Sequence, residues 1–180
     1  MKAQHRCKLT TEVIRNILRF IVVVLVQVLV IQNVNISGYI ILLPYVIWIL
    51  MLPLEANRLV VLFSSFAMGV VVDLFYDSSG LHACACTLMG FARYYVLKYV
   101  SPRDGYEPGL SATIDEMGFA WFLRYAGILI VMHHFVLFYL EIFRFSEFFT
   151  TLLRVLLSSA GTFAFIYVIQ FLFYSSTKRS

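Results

Sequence analysis

Charged residues make up only 13% of this 180-residue chain, and acidic residues number 10, so most of its length offers water nothing to solvate. A soluble domain of this size carries about a quarter of its residues as Asp, Glu, Lys or Arg. Here 61% of the residues are hydrophobic and the mean hydropathy is +0.86, so lipid must supply the missing solvent. Cysteine is nearly absent too. Cys7 lies in the basic N-terminal stretch, and Cys84 and Cys86 lie in an apolar run, which excludes a disulfide framework. No nucleophile stands beside a base, and no phosphate loop or zinc-protease signature occurs, so the expectation is no enzyme, no metal and no cofactor. Nor is there an internal repeat, which counts against the secondary transporters built from repeats.

What is present is a series of apolar runs. They lie at 14–31, 38–52, 59–75, 81–98, 119–140 and 148–174, each read as a transmembrane helix. The expected architecture is all-α: a single polytopic membrane domain over 1–180, a bundle of about six helices with no room for a globular appendage. The run at 38–52 is short and contains Pro44, whose missing N–H and bulky ring predict a kinked, tilted or broken span. The residues after the first run, Gln32 to Asn35, offer no small-x-small cleavage site, so that run is expected to stay as an uncleaved span.

The net charge of +4 points to topology rather than nucleic acid, because the basic residues flank apolar runs and form no stripe. Counting from the N-terminus, the odd loops hold only Arg144. The even loops and the two ends hold Lys2, Arg6, Lys8, Arg15, Arg19, Arg58, Lys98, Arg103, Lys178 and Arg179. Basic residues concentrate in cytoplasmic loops, which predicts both termini in the cytoplasm. Arg154 falls near the outer end of the last run, where its stem could snorkel to the interface. The longest connection, 101–118, carries the turn signals Ser101-Pro102-Arg103-Asp104-Gly105 and Pro108-Gly109 and reads as an ordered cytoplasmic turn.

Ionisable residues inside apolar runs are the first place to seek function, since each costs about 2.5 kcal/mol or more in hydrocarbon unless paired or wet. Ser65, Gly69 and Asp73 recur at helical spacing and share one face, narrow enough for a neighbouring helix to approach. Asp73 is expected to form a polar clamp at a helix end with Asp77, Ser78 and Ser79, ahead of a role as ligand or partner contact. Arg93 should not reach it, lying roughly 15 Å or more below at 1.5 Å per residue, and is assigned to the interface with Lys98. His82, Cys84 and Cys86 alternate, and in a helix such positions diverge, which argues against a metal site. Ala83, Cys86 and Gly90 form instead a small-residue stripe for close packing, with a further one near Ser158 and Gly161. The adjacent His133 and His134 point about 100° apart, and His134 shares a face with Glu141. Interhelical hydrogen bonding is the expected role of this group, before a proton relay.

The run Gly69-Val-Val-Val-Asp73-Leu-Phe-Tyr-Asp77-Ser-Ser-Gly80-Leu-His82, followed by Arg93 and the turn Ser101-Pro102-Arg103-Asp104-Gly105-Tyr106, resembles the MreD family of rod shape-determining membrane proteins. The helix with His133, His134 and Glu141 is similar to the branch of that family with a G-x-x-x-D hairpin. The resemblance extends over most of the chain and strains at the short second run. It implies a subunit of the cell-elongation machinery in the bacterial inner membrane. The implied partners are the bitopic protein MreC, the actin-like MreB filament, and the glycosyltransferase and transpeptidase that insert peptidoglycan; contact with membrane lipid and a homodimer stay open. It also implies a fold similar to the substrate-binding membrane components of energy-coupling-factor vitamin transporters.

Two functions follow as expectations. One is a non-enzymatic scaffold that grips partner helices at small-residue faces: the stripes through Gly69 and Gly90 and the one near Ser158 and Gly161 are the candidates, each open to facing a partner or the protein's own core, and a bulky residue at Gly69 or Gly80 is expected to break assembly. The other is a small-molecule or lipid-binding transport component using Asp73, His133, His134 and Glu141 in a hydrated pocket, and a lipid-linked cell-wall precursor lies between the two.

Overall fold

The structure is a computed structural model that describes residues 2–31, 40–107, 109–142 and 147–174. The loop residues Gln32 to Ser37 and the residues Pro108, Arg144, Lys178 and Arg179 lie outside the described residues, and so do the side chains of Lys2, Arg6, Cys7 and Lys8.

Every element among the described residues is helical. Helix α1 (Lys2–Leu25) runs on into a π-helical turn, Val26–Val30. Then follow the short α2 (Val46–Leu50), α3 (Arg58–Tyr76), α4 (Leu81–Tyr99), the single turn α5 (Ile114–Met117), α6 (Phe119–Ile142) and α7 (Phe148–Tyr174). Among the described residues, three helices are long and apolar enough to cross a membrane: α3, α6, and α7 through Leu172. Helix α4 is more polar, carrying His82, Arg93 and Lys98, and its place is inside the bundle, packed between α3 and α6. Helix α7 lies against the other side of α6, while α1 borders α2 and α3.

Large apolar side chains lie on the outside of the long helices, among them Phe63, Phe91, Leu153 and Phe171, with Phe149 83% exposed. A water-soluble monomer rarely shows contiguous apolar surface on this scale. The interior is built from aromatic and aliphatic side chains such as Tyr125, Phe122, Phe138 and Met89. This is the pattern of an all-helical membrane protein.

Local chemistry sets the helix limits. Asn57 caps α3, its side chain accepting from the Leu59 N–H at 2.9 Å. The helix ends where Asp77 turns left-handed at φ 49°, and α4 begins after Gly80 at φ 88°, a conformation glycine adopts without steric cost. Described residues of the connection 101–118 are tied to the helices at two points. Tyr106 donates to the Leu97 carbonyl at 2.8 Å, and Gln170 of α7 accepts from the Ile114 N–H at 2.9 Å.

The described part of the run 38–52 is interrupted, in line with the broken form that Pro44 predicts. Only Val46–Leu50 is α-helical; the described residues before it are irregular, and everything from Leu43 to Leu52 is buried. Pro44 contributes no N–H to a helix, and the surrounding helices supply the hydrogen bonds that continuous helix would otherwise make internally.

Candidate functional site

Two polar assemblies occupy the interior. The first closes the α3–α4 hairpin. Asp73, one turn before the end of α3, accepts from the Ser78 hydroxyl at 2.5 Å, the His82 N–H at 3.0 Å and the Ala83 N–H at 2.8 Å. Its Oδ1 also lies 3.0 Å from His82 Nδ1, which sets the proton on that nitrogen. A carboxylate here satisfies orphan N–H groups in the first turn of α4 and faces the positive end of its dipole. The expected clamp is therefore present, with a different membership. Ser78 belongs to it and His82 and Ala83 join, while Asp77 and Ser79 stay exposed and serve the turn.

Close approach makes this geometry accessible. A Cβ on Gly69 would stand 2.5 Å from the His82 carbonyl oxygen and 2.6 Å from the Ala83 nitrogen, and one on Gly90 would stand 2.8 Å from Ser65 Cβ. Ser65, Gly69 and Asp73 thus share one buried face, and Ala83 and Gly90 of the α4 stripe lie opposite. The faces through Gly69 and Gly90 are consumed inside the chain. Of the two uses that the sequence leaves open for these stripes, a partner helix or the protein's own core, the packing gives both faces to the core. Gly80 faces open space, where an added methyl would meet no atom within 4 Å, and it is needed for its backbone angle. Gly161 meets Leu42 of the buried segment.

The second assembly holds the irregular segment 41–53. Ser158 and Thr162 of α7 accept from the N–H groups of Ile41 (3.0 Å) and Leu43 (3.1 Å). Gln27 of the π-helical turn accepts from the Tyr45 N–H at 3.4 Å and donates to the Tyr76 hydroxyl at 2.6 Å. On α6, the Tyr125 hydroxyl donates to the Leu50 carbonyl at 2.9 Å. Arg93 of α4 donates through Nε to Tyr125 at 2.8 Å and through Nη2 to the Leu52 carbonyl. The Trp48 indole reaches the Asn16 carbonyl of α1 at 2.9 Å. Non-helical backbone away from water needs partners of this kind, because each unsatisfied group costs several kcal/mol.

The histidine pair divides its work. His133 Nε2 lies 2.8 Å from the Tyr45 hydroxyl, whereas His134 contacts the Ile130 carbonyl through Nδ1 (2.9 Å) and Thr162 through Nε2 (3.2 Å). His134 thus makes the expected interhelical bond, to α7, while His133 bonds the irregular segment instead of a helix. Glu141 is not part of it: it is exposed and pairs with Arg154 at 3.4 Å, the Arg154 guanidinium lying over the Phe138 ring. Arg93, assigned from sequence to the interface, is instead buried and remote from Asp73; Lys98 is exposed. Cys84 faces outward and Cys86 inward, and among the described residues no group of three or more His, Cys, Asp or Glu could hold a metal. Pro102 and Arg103 lie exposed in the 101–118 connection.

Sequence reasoning missed Gln27, Tyr45, Tyr125 and Thr162. The available signal was their polarity within apolar runs, which marks a buried partner without saying which one.

The site so described belongs to an all-helical membrane protein whose interior polarity is organised around one irregular segment. Compared with known proteins, the chain matches no family model, no curated protein and no solved structure.

Proposed function

We propose that this chain is a non-enzymatic, multi-pass subunit of the bacterial inner membrane with both termini cytoplasmic. In this reading it acts in the cell-elongation machinery as an MreD-type scaffold that binds MreC and couples the MreB filament to the peptidoglycan glycosyltransferase and transpeptidase. The observation that supports this reading is the internal commitment of its polar groups. Asp73, His82, Arg93, His133 and His134 each bond to neighbouring helices or to the 41–53 segment, and the outer faces left over are apolar. A rigid bundle with apolar flanks suits a scaffold for partner helices, which join by packing rather than by hydrophobic drive. The exposed turn at Pro102 and Arg103 is the surface it would offer to cytoplasmic partners.

Depletion in a rod-shaped host tests the proposal. Rounding of the cells, reversed by the complementing chain, supports it; unchanged shape with loss of uptake of one nutrient overturns it. Co-purification with MreC gives the direct readout. Loss of MreC on Arg103→Glu with retained folding would locate the contact on the turn.

A transport component of the vitamin-binding type is the second reading, and one observation favours it. A largely apolar groove of about 470 Å³ lies between α1 with its π-helical continuation, the buried segment and Ile169 of α7, bordered by Val22, Val26, Pro44, Ile47 and Met51 with Arg19 at its edge. Thermal stabilisation by one member of a vitamin panel would select this reading.

A further inference from the structure

Arg93 is only 2% exposed, and its guanidinium donates to neutral acceptors alone: the Tyr125 hydroxyl and the carbonyls of Leu52 and Pro53. A buried cation is costly unless a counter-charge compensates it. The two ion pairs among the described residues are His82 with Asp73 and Arg154 with Glu141, and neither involves Arg93.

Arg93 lines a groove of about 240 Å³ between the first turns of α3 and the last turns of α4. Arg58, the first residue of α3, brings a second guanidinium to this groove, stacked 3.3 Å from the centre of the Tyr94 ring. The walls are otherwise apolar, formed by Leu54, Leu62 and Phe91 among others, and no carboxylate lines them. Glu55 lies beside Leu54 in sequence but is exposed and pairs with neither arginine. Two cations, neither paired with a carboxylate among the described residues, therefore border a largely apolar groove beside α3, a helix long and apolar enough to cross a membrane.

We propose that this groove binds an anionic glycerophospholipid, with its phosphate against Arg58 and the Arg93 side of the groove and an acyl chain along Leu62 and Phe91. The exposed Arg58 guanidinium matches phosphate oxygens in paired geometry, and the phosphate answers the charge of Arg93 across the groove while the Arg93 donors stay on Tyr125, Leu52 and Pro53. The apolar walls select a lipid over free phosphate. The N-terminus of α3 adds its dipole to the same field. The inference needs only a membrane around the protein and stands apart from the rod-shape reading.

The test uses the full chain, purified in detergent and stripped of lipid, with thermal unfolding followed in phosphatidylglycerol, phosphatidylcholine of the same chains, or inorganic phosphate. Phosphatidylglycerol is expected to raise the midpoint while the other two leave it within error. Arg58→Gln should weaken the apparent affinity about tenfold, since it removes a charge-assisted contact at an exposed position. Leu62→Trp should abolish the shift by filling the groove. Arg93→Gln also removes a support of the 41–53 segment and is left out for that reason. Equal shifts with the zwitterionic lipid, a shift reproduced by phosphate alone, or full response in Arg58→Gln or Leu62→Trp overturns the proposal.

Discussion

Tyr45 and His133 meet in the interior of the bundle, hydroxyl to Nε2 at 2.8 Å, with both side chains fully buried. One belongs to the irregular segment and the other to α6, so this bond ties the least regular part of the chain to one of its most regular helices. Their rings also meet edge to face at 5.5 Å between centroids, which adds directional packing to the bond.

Replacing Tyr45 by Phe keeps the ring and removes the bond. The His133 Nε2 is then left with Cys86 Sγ at 3.8 Å as its remaining neighbour. A loss of about 1–2 kcal/mol is expected, read as a lowered thermal midpoint in detergent. Tyr106→Phe, which breaks a half-buried bond to the Leu97 carbonyl, should cost less than about 1 kcal/mol and serves as the comparison.

Asp73→Ala leaves the N–H groups of His82 and Ala83 without their acceptor and the Ser78 hydroxyl with His82 Nδ1, at 2.9 Å, as its remaining partner. Destabilisation of about 2–3 kcal/mol is expected, against about half that for Asp73→Asn, whose amide oxygen still accepts one N–H. Equal losses in the two variants would show that charge, rather than acceptor geometry, holds the hairpin.

Gly69 and Gly80 should respond to alanine for different reasons. At Gly69 the new methyl collides with the backbone of His82 and Ala83, so α3 and α4 must separate and the loss should exceed about 2 kcal/mol. At Gly80 space is free and only the positive φ resists, which predicts about 1–2 kcal/mol. The separation of these two values by thermal unfolding distinguishes crowding from backbone strain.

Thr162→Val is nearly isosteric and removes the acceptor of the Leu43 N–H together with the contact to His134. Hydrogen exchange at the Leu43 amide should accelerate, with a global loss of about 1–3 kcal/mol. Unchanged exchange there would mean that another acceptor takes over the Leu43 amide.

Much of the helical framework was legible along the chain. The runs 59–75, 119–140 and 148–174 match α3, α6 and α7 within about a turn, because a long apolar stretch that must hide its backbone from lipid has helix as its local solution. The Asp73 clamp was also readable, since its partners lie within ten residues and the Ser65, Gly69 and Asp73 spacing fixes a common face. Helical geometry likewise kept Arg93 away from Asp73.

The segment 41–53 was decided elsewhere. Its amides are satisfied by side chains as distant as 117 residues in sequence for Ile41 and Ser158, and 119 for Leu43 and Thr162. No local pattern encodes such a pairing. Arg93 shows the same division: its sequence neighbours place it near a helix end, but only the packing of α4 against α6 and the buried segment turns it inward. Sequence alone therefore determined where helix is unavoidable, because backbone desolvation acts locally. Tertiary structure decided where helix can be interrupted, because an exposed peptide group away from water is tolerable only when a remote side chain arrives to bond it.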